Sequence, residues 1–180
     1  MKKILPITIT ALSAMFILAS CGESVKTVSP TDGNFTIELN TDYQDVSDQK
    51  EFVINERLPG TDPNNLILLQ ARKGNIADDL LYSVRLQLPE GIVVTKDEYE
   101  DVMNEQMENI PEIKSFKALP VKNTASEVAY AAETTTRDGR PYYEYCLISL
   151  EDAITSVCLG TSRDPKAAEK AISSVQFFHR

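Results

Sequence analysis

Apolar and polar residues alternate along Phe35-Thr36-Ile37-Glu38-Leu39, a period of two that predicts a strand with one buried face. Phe52 to Leu58 and Leu66 to Arg72 read as two further strands. Between them lies Pro59-Gly60-Thr61-Asp62-Pro63-Asn64-Asn65, dense in turn formers. The clearest alternation sets Tyr82, Val84, Leu86 and Leu88 against Ser83, Arg85 and Gln87, and Pro89 and Gly91 close it. The period then changes. Thr95 and Glu98 form a T-x-x-E capping box that satisfies backbone donors at a helix start. Asp97, Glu98, Glu100 and Asp101 place negative charge where the helix dipole favours it. Tyr99, Val102, Met103, Met107 and Ile110 recur at helical spacing, and Pro111 ends the run.

A strand meander is predicted next. Lys114 to Val121 carries Phe116 and Leu119, and Val128, Tyr130 and Ala132 alternate along a longer strand. Asp138-Gly139 marks a tight hairpin turn, since this pair accepts positive φ. Tyr142 to Leu150 and Ala153 to Leu159 make a second hairpin, turning near Glu151-Asp152. Asp164-Pro165 supplies an N-cap and a first-turn proline for a closing helix with Ala168, Ala171, Ile172 and Val175 on one face. Strands dominate and the helices lie far apart in sequence, so the layer rule gives an α+β fold, an antiparallel sheet flanked by helices.

The N-terminal segment follows a different pattern. Lys2 and Lys3 precede the mostly apolar run Ile4 to Ala19, too short for the roughly 20 apolar residues of a spanning helix. It reads as the apolar core of a signal peptide, the alternatives being an ordinary secretory signal or a short membrane anchor. The run closes at Leu18-Ala19-Ser20-Cys21 with Gly22 next. Those residues resemble the lipobox of bacterial lipoproteins. The resemblance implies cleavage between Ser20 and Cys21, a diacylglyceryl group on the Cys21 thiol and an acylated new amino terminus. Two or three acyl chains would hold the protein on a membrane with no spanning helix, because each buried methylene adds roughly 0.8 kcal/mol. Gly22 after the cysteine resembles the outer-membrane sorting pattern of enteric bacteria. The expected location is the bacterial cell envelope, at the outer membrane facing the periplasm.

This divides the chain into residues 1–20, a lipoprotein signal peptide; 21–34, a lipidated polar tether rich in Ser, Thr and Gly; and 35–180, one domain. Composition adds an exclusion. The 180 residues carry 18 Lys+Arg against 27 Asp+Glu, and losing Lys2 and Lys3 with the signal would move the formal charge from −9 to −11. Nucleic acid as a partner is excluded, because binding it requires a basic surface.

Candidate chemistry is sparse. Cys146 and Cys158 sit six residues on either side of Asp152, which sets them directly opposite each other across the hairpin. An exported compartment permits a disulfide there, and two buried thiols are the alternative. The lone His179 lies beyond the last apolar run and is a poor general base, which must be held in hydrogen-bond reach. No zinc-ligand spacing and no phosphate-binding glycine loop is present, so no metal, cofactor or catalytic residue is assigned. The acids at the start of the first helix read as cap and solvated face. Asp78-Asp79 is the carboxylate pair open to a glycosidase-type reading, with two solvated loop acids as the alternative. Tyr142, Tyr143 and Tyr145 read as cross-strand packing rather than a binding surface, since neighbours in a strand face opposite sides.

Three pieces together resemble the PsbP/Mog1-like domain, and particularly the DcrB-type bacterial lipoproteins that carry it. They are the opening Phe35-Thr36-Ile37-Glu38-Leu39-Asn40-Thr41-Asp42-Tyr43, the capped mid-chain helix followed by the Asp138-Gly139 meander, and the closing helix running into Ser174-Val175-Gln176-Phe177. The resemblance covers Phe35 to Phe178. It implies an α-β-α sandwich and a non-catalytic accessory role. The expected function is that of a membrane-anchored lipoprotein binding an envelope protein in transport, secretion or immunity. An envelope hydrolase using carboxylates and a small-ligand binder are the alternatives.

Overall fold

The computed structural model describes residues 24–136 and 138–178. Its strands are β1 (Val25–Val28), β2 (Phe35–Asn40), β3 (Tyr43–Asp45), β4 (Leu66–Arg72), β5 (Asp79–Leu86), β6 (Ser115–Ala118), β7 (Glu127–Thr135), β8 (Pro141–Ser149), β9 (Ile154–Thr161) and β10 (Gln176–Phe177). The helices are α1 (Lys50–Arg57), α2 (Lys96–Glu108) and α3 (Pro165–Ser173). Seven strands form one sheet in the order β3-β4-β5-β9-β8-β7-β6, and β1-β2-β10 form a small second one. Every pairing is antiparallel.

Alternation sorts the large sheet's side chains onto two covered faces. Leu81, Tyr145, Leu147, Val157 and Leu159 face one way, against Phe35, Ile37 and Leu39 of β2 and Ala168, Ala171 and Ile172 of α3. On the opposite face, Val53 and Ile54 of α1 pack on Leu66, Leu69, Ala71 and Leu80. Beside them Tyr99 and Met103 of α2 cover Val128, Tyr130, Cys146, Ile148 and Cys158. The result is a sandwich of helix, sheet and helix.

The capping box forms as predicted: Glu98 N–H donates to the Thr95 hydroxyl at 3.4 Å, and Thr95 N–H donates to Glu98 Oε2 at 3.0 Å. Asp164 caps α3, accepting from Ala167 N–H at 3.0 Å. Gly139 has φ 83° in the β7–β8 turn and Asp152 φ 58° in the β8–β9 turn, the left-handed conformations those turns require.

Three expectations are corrected. Phe52 to Leu58 lies in and just after helix α1, not a strand. Asn55-Glu56-Arg57 breaks any alternation, whereas Val53, Ile54, Arg57 and Leu58 share one helical face, which leaves Phe52 outside at 52% exposure. The stretch read as a tether contains β1, whose Val25, Lys26, Thr27 and Val28 pair with Asn40, Leu39, Glu38 and Ile37. Val28 packs on the core, the Lys26 ammonium donates to the Tyr43 carbonyl, and Asp32 pairs with Arg85 at 2.9 Å. The domain therefore starts at β1 rather than at Phe35. Finally, β5 begins at Asp79, and its most buried positions are Asp79, Leu80, Leu81 and Ser83 rather than the Tyr82–Leu86 face. A central strand is covered on both sides, so alternation does not single out its core face. The signal peptide, Ser20, Cys21 and His179 lie outside the described residues.

Candidate functional site

α1 sits over β4 and β5, and α2 over β7 and β8, which leaves the sheet between them open. Tyr142 and Glu144 of β8 face that gap, alongside Tyr82 of β5. Gly160 of β9 pairs with Glu144 and has no side chain to fill the space. The Tyr142 ring fills it instead: a β-carbon at residue 160 would stand 1.9 Å from the Tyr142 hydroxyl. Above this floor runs a groove of about 550 Å³, walled by Phe52, Val53 and Arg57 of α1, by Ile76 to Asp78, and by the β7–β8 hairpin.

Glu144 is the chemical centre of the groove. Its Oε2 accepts the Tyr82 hydroxyl at 3.0 Å. Withdrawal from water raises the carboxyl above its ordinary range, and the Tyr82 hydrogen bond and the nearby Arg57 charge offset this in part. Burial, reinforced by the Glu144 charge, pushes the Tyr82 hydroxyl well up. The Arg57 guanidinium lies 4.5 Å from the centre of the Tyr142 ring, a cation–π contact, and its Nη1 donates to the Ala77 carbonyl at 2.5 Å. Sequence reading missed Glu144. The available signal was a single acid inside the otherwise apolar strand Tyr142-Tyr143-Glu144-Tyr145-Cys146-Leu147.

Cys146 and Cys158 are directly paired, with Cα atoms 4.2 Å apart and sulfurs at disulfide distance, 2.00 Å. Both are buried beneath α2. Glu144 and the two sulfurs bring ligand-type atoms within 4.8 Å of one another, but sulfurs joined to each other are not available as metal-binding thiolates. The tyrosines divide as strand geometry demands. Tyr142 lines the groove, while Tyr143 and Tyr145 face α3 on the other side.

Asp78 and Asp79 are not a solvated loop pair. Asp78 binds Arg140 at 3.0 Å and approaches Arg163 at 3.6 Å. Asp79 is 1% exposed, accepting the Thr161 hydroxyl at 2.5 Å and Asn75 Nδ2 at 3.1 Å, with Arg163 Nε at 3.9 Å and Arg72 Nη1 at 4.0 Å. They also serve different cavities. Asp78 lines the groove, whereas Asp79 lines a cleft of about 460 Å³ beneath α3, with Leu39, Tyr43, Arg72 and Ala171. A glycosidase pair must flank one bond, and this one does not.

No family model matches the chain, and no curated protein sequence matches it. Solved structures do. The solution structure of cyanobacterial PsbP (CyanoP) from Synechocystis sp. PCC 6803 aligns over 89% of this chain and 99% of its own, with a TM-score of 0.54 and 15% identity. The Ran-binding protein Mog1p of Saccharomyces cerevisiae aligns over 87% of this chain and 96% of its own, at a TM-score of 0.51 and 8% identity. At such identities the likeness is one of fold. The mixed α+β architecture, with antiparallel sheets and three helices among the described residues, is that of the PsbP/Mog1-like domain.

Proposed function

We propose that this chain is a bacterial envelope lipoprotein, anchored through lipid on Cys21, whose folded domain is a non-catalytic protein-binding module of an envelope assembly. The anchor is supported by the order of basic start, apolar run and Leu18-Ala19-Ser20-Cys21. Val25 follows Cys21 by four residues, so β1 lies within about 14 Å of the lipid even with the intervening chain fully extended.

One observation carries the binding half. The stretch from β5 into α2 leaves Leu86, Ile92, Val93 and Val102 on the surface, Val93 at 80% exposure. Contiguous exposed apolar surface marks places that another protein covers, and we read these four side chains as part of one. The name of Mog1p as a Ran-binding protein adds fold-level analogy. A photo-crosslinking residue at Val93, in the full-length chain expressed in cells, tests the reading. A stoichiometric partner that disappears with Ile92→Glu supports it. An unchanged capture profile counts against it, and a Cys21→Ala chain that still fractionates with membranes counts against the anchor. A small-ligand role is the second reading, favoured by the groove over Glu144.

A further inference from the structure

We propose that Glu144 is the proton donor through which a dithiol, entering beneath α2, opens the Cys146–Cys158 disulfide, so that the pair is a redox-sensitive device in the core of the sheet. This goes beyond the protein-binding reading and does not depend on the lipid anchor.

The two sulfurs are sealed from water: Cys146 is 0% exposed and Cys158 3%. A disulfide opens when a thiolate attacks one sulfur and the other leaves as a thiolate. A charge left in such an apolar setting is costly unless a proton reaches it. Glu144 stands where that proton is needed. Its Oε1 lies 3.8 Å from Cys146 Sγ, within reach of a sulfur hydrogen bond. Tyr82 holds the other carboxyl oxygen at 3.0 Å, which fixes the group against the sulfur. Among the described residues no other carboxylate or imidazole stands within 4.8 Å of both sulfurs. Burial keeps the Glu144 carboxyl protonated above its ordinary range, so it has a proton to give.

The geometry also says which sulfur is attacked. Glu144 serves Cys146, so Cys146 leaves and Cys158, the more exposed of the two, takes the incoming thiolate. The way in lies beneath α2. This helix has no buried residue and covers the disulfide through half-buried Tyr99 and Met103, and a thinly packed element opens at small cost. The thiolate of the dithiol bonds to Cys158 Sγ, the S–S bond breaks, and its electron pair goes to Cys146 Sγ, which takes the Glu144 proton. The second thiol of the dithiol then loses its proton to water and displaces Cys158, which is protonated from solvent, as Glu144 is in turn. The dithiol is oxidised to its own disulfide and both cysteines are reduced.

Other titratable groups face this place. Tyr82 of β5, Tyr130 of β7, Tyr142 of β8 and Tyr99 of α2 are all held above the ordinary tyrosine range by burial, so none of them releases a proton near neutrality. Arg57 of α1 adds a positive charge, and the groove adds Glu56, Asp78, Asp138 and Arg140.

The test is the rate of disulfide reduction in the full-length chain, held in micelles of an uncharged detergent, by dithiothreitol between about pH 5 and pH 9. Free thiols are counted by mass after acid quench and alkylation, at reductant concentrations where the rate is linear. Each rate constant is divided by the thiolate fraction of the reductant. The native constant is expected to fall as pH rises through the raised Glu144 value. In Glu144→Gln it is expected to be level, and at the acid end about 10-fold or more below native, as for loss of a general acid. Tyr99→Ala, which thins the cover, is expected to speed reduction at every pH while keeping the native profile. A level native profile, or a Glu144→Gln profile that matches the native one, overturns the proton role; Tyr99→Ala reduced no faster than native overturns entry beneath α2. Should Glu144→Gln not fold, the native profile decides the proton role by itself.

Discussion

The hydroxyl of Tyr142 occupies the space a side chain at Gly160 would need, 1.9 Å from the position of its β-carbon. The Tyr142 ring is buried between the sheet and Arg57, so Gly160→Ala must push it outward. The expected cost is about 1–3 kcal/mol, as for overpacking generally, read as a lower urea midpoint at unchanged slope. In a Tyr142→Ala background the same glycine substitution is expected to cost almost nothing, and the four-variant cycle measures the coupling.

The cross-strand cysteines close a loop with a sequence separation of 12. Constraint of the unfolded chain by a loop of that size contributes about 3 kcal/mol in the chain-entropy description. Thermal unfolding of the Cys146→Ala, Cys158→Ala double variant should show this loss, and reductant should lower the melting temperature of the native chain but not of the variant.

Asp78 and Asp79 are adjacent yet unequal. Asp79→Ala removes the central acceptor of a buried set and leaves Thr161 and Asn75 without it; breaking such a pair costs about 3–5 kcal/mol. Asp78, paired with guanidiniums that are about half exposed, should cost no more than about 1 kcal/mol when changed to Ala. Chemical denaturation of the two single variants, side by side, checks the ranking.

Glu144 predicts a pH effect of definite sign. Its carboxyl is raised in the folded protein from an ordinary 4.5, so the folded state keeps the proton after the unfolded state has lost it. Stability from this group therefore falls as pH rises from about 4.5 through the raised folded value. Glu144→Gln, which can still accept from Tyr82, should match the native chain below that window and exceed it above. A denaturation series across pH on both proteins tests the divergence.

Much of the architecture was legible in sequence because it rests on local signals. Thr95 with Glu98, Asp164 with Pro165, and the Asp152-centred turn that aligns Cys146 with Cys158 each place an element by chemistry within a few residues. The groove was not legible. Glu144 matters because α1 and α2 leave a gap above it and because Tyr82, distant in sequence, reaches it. Asp79 looks like a loop acid until Thr161, far along the chain, closes over it. Residues 52–58 misled for a related reason: a short apolar run fits a strand or a helix, and packing against Leu66 and Leu80 decides.

The small sheet sets how the molecule responds to pulling. β1 and β10, near the two ends of the described chain, both border β2, and Val25 pairs with Asn40 at the far end of that strand. Tension entering before Ser24 first meets the bond from Thr41 N–H to the Ser24 carbonyl, at 2.9 Å, and then the Val25–Asn40 pair. Up to four paired residues of slack are thus built into the start of the fold.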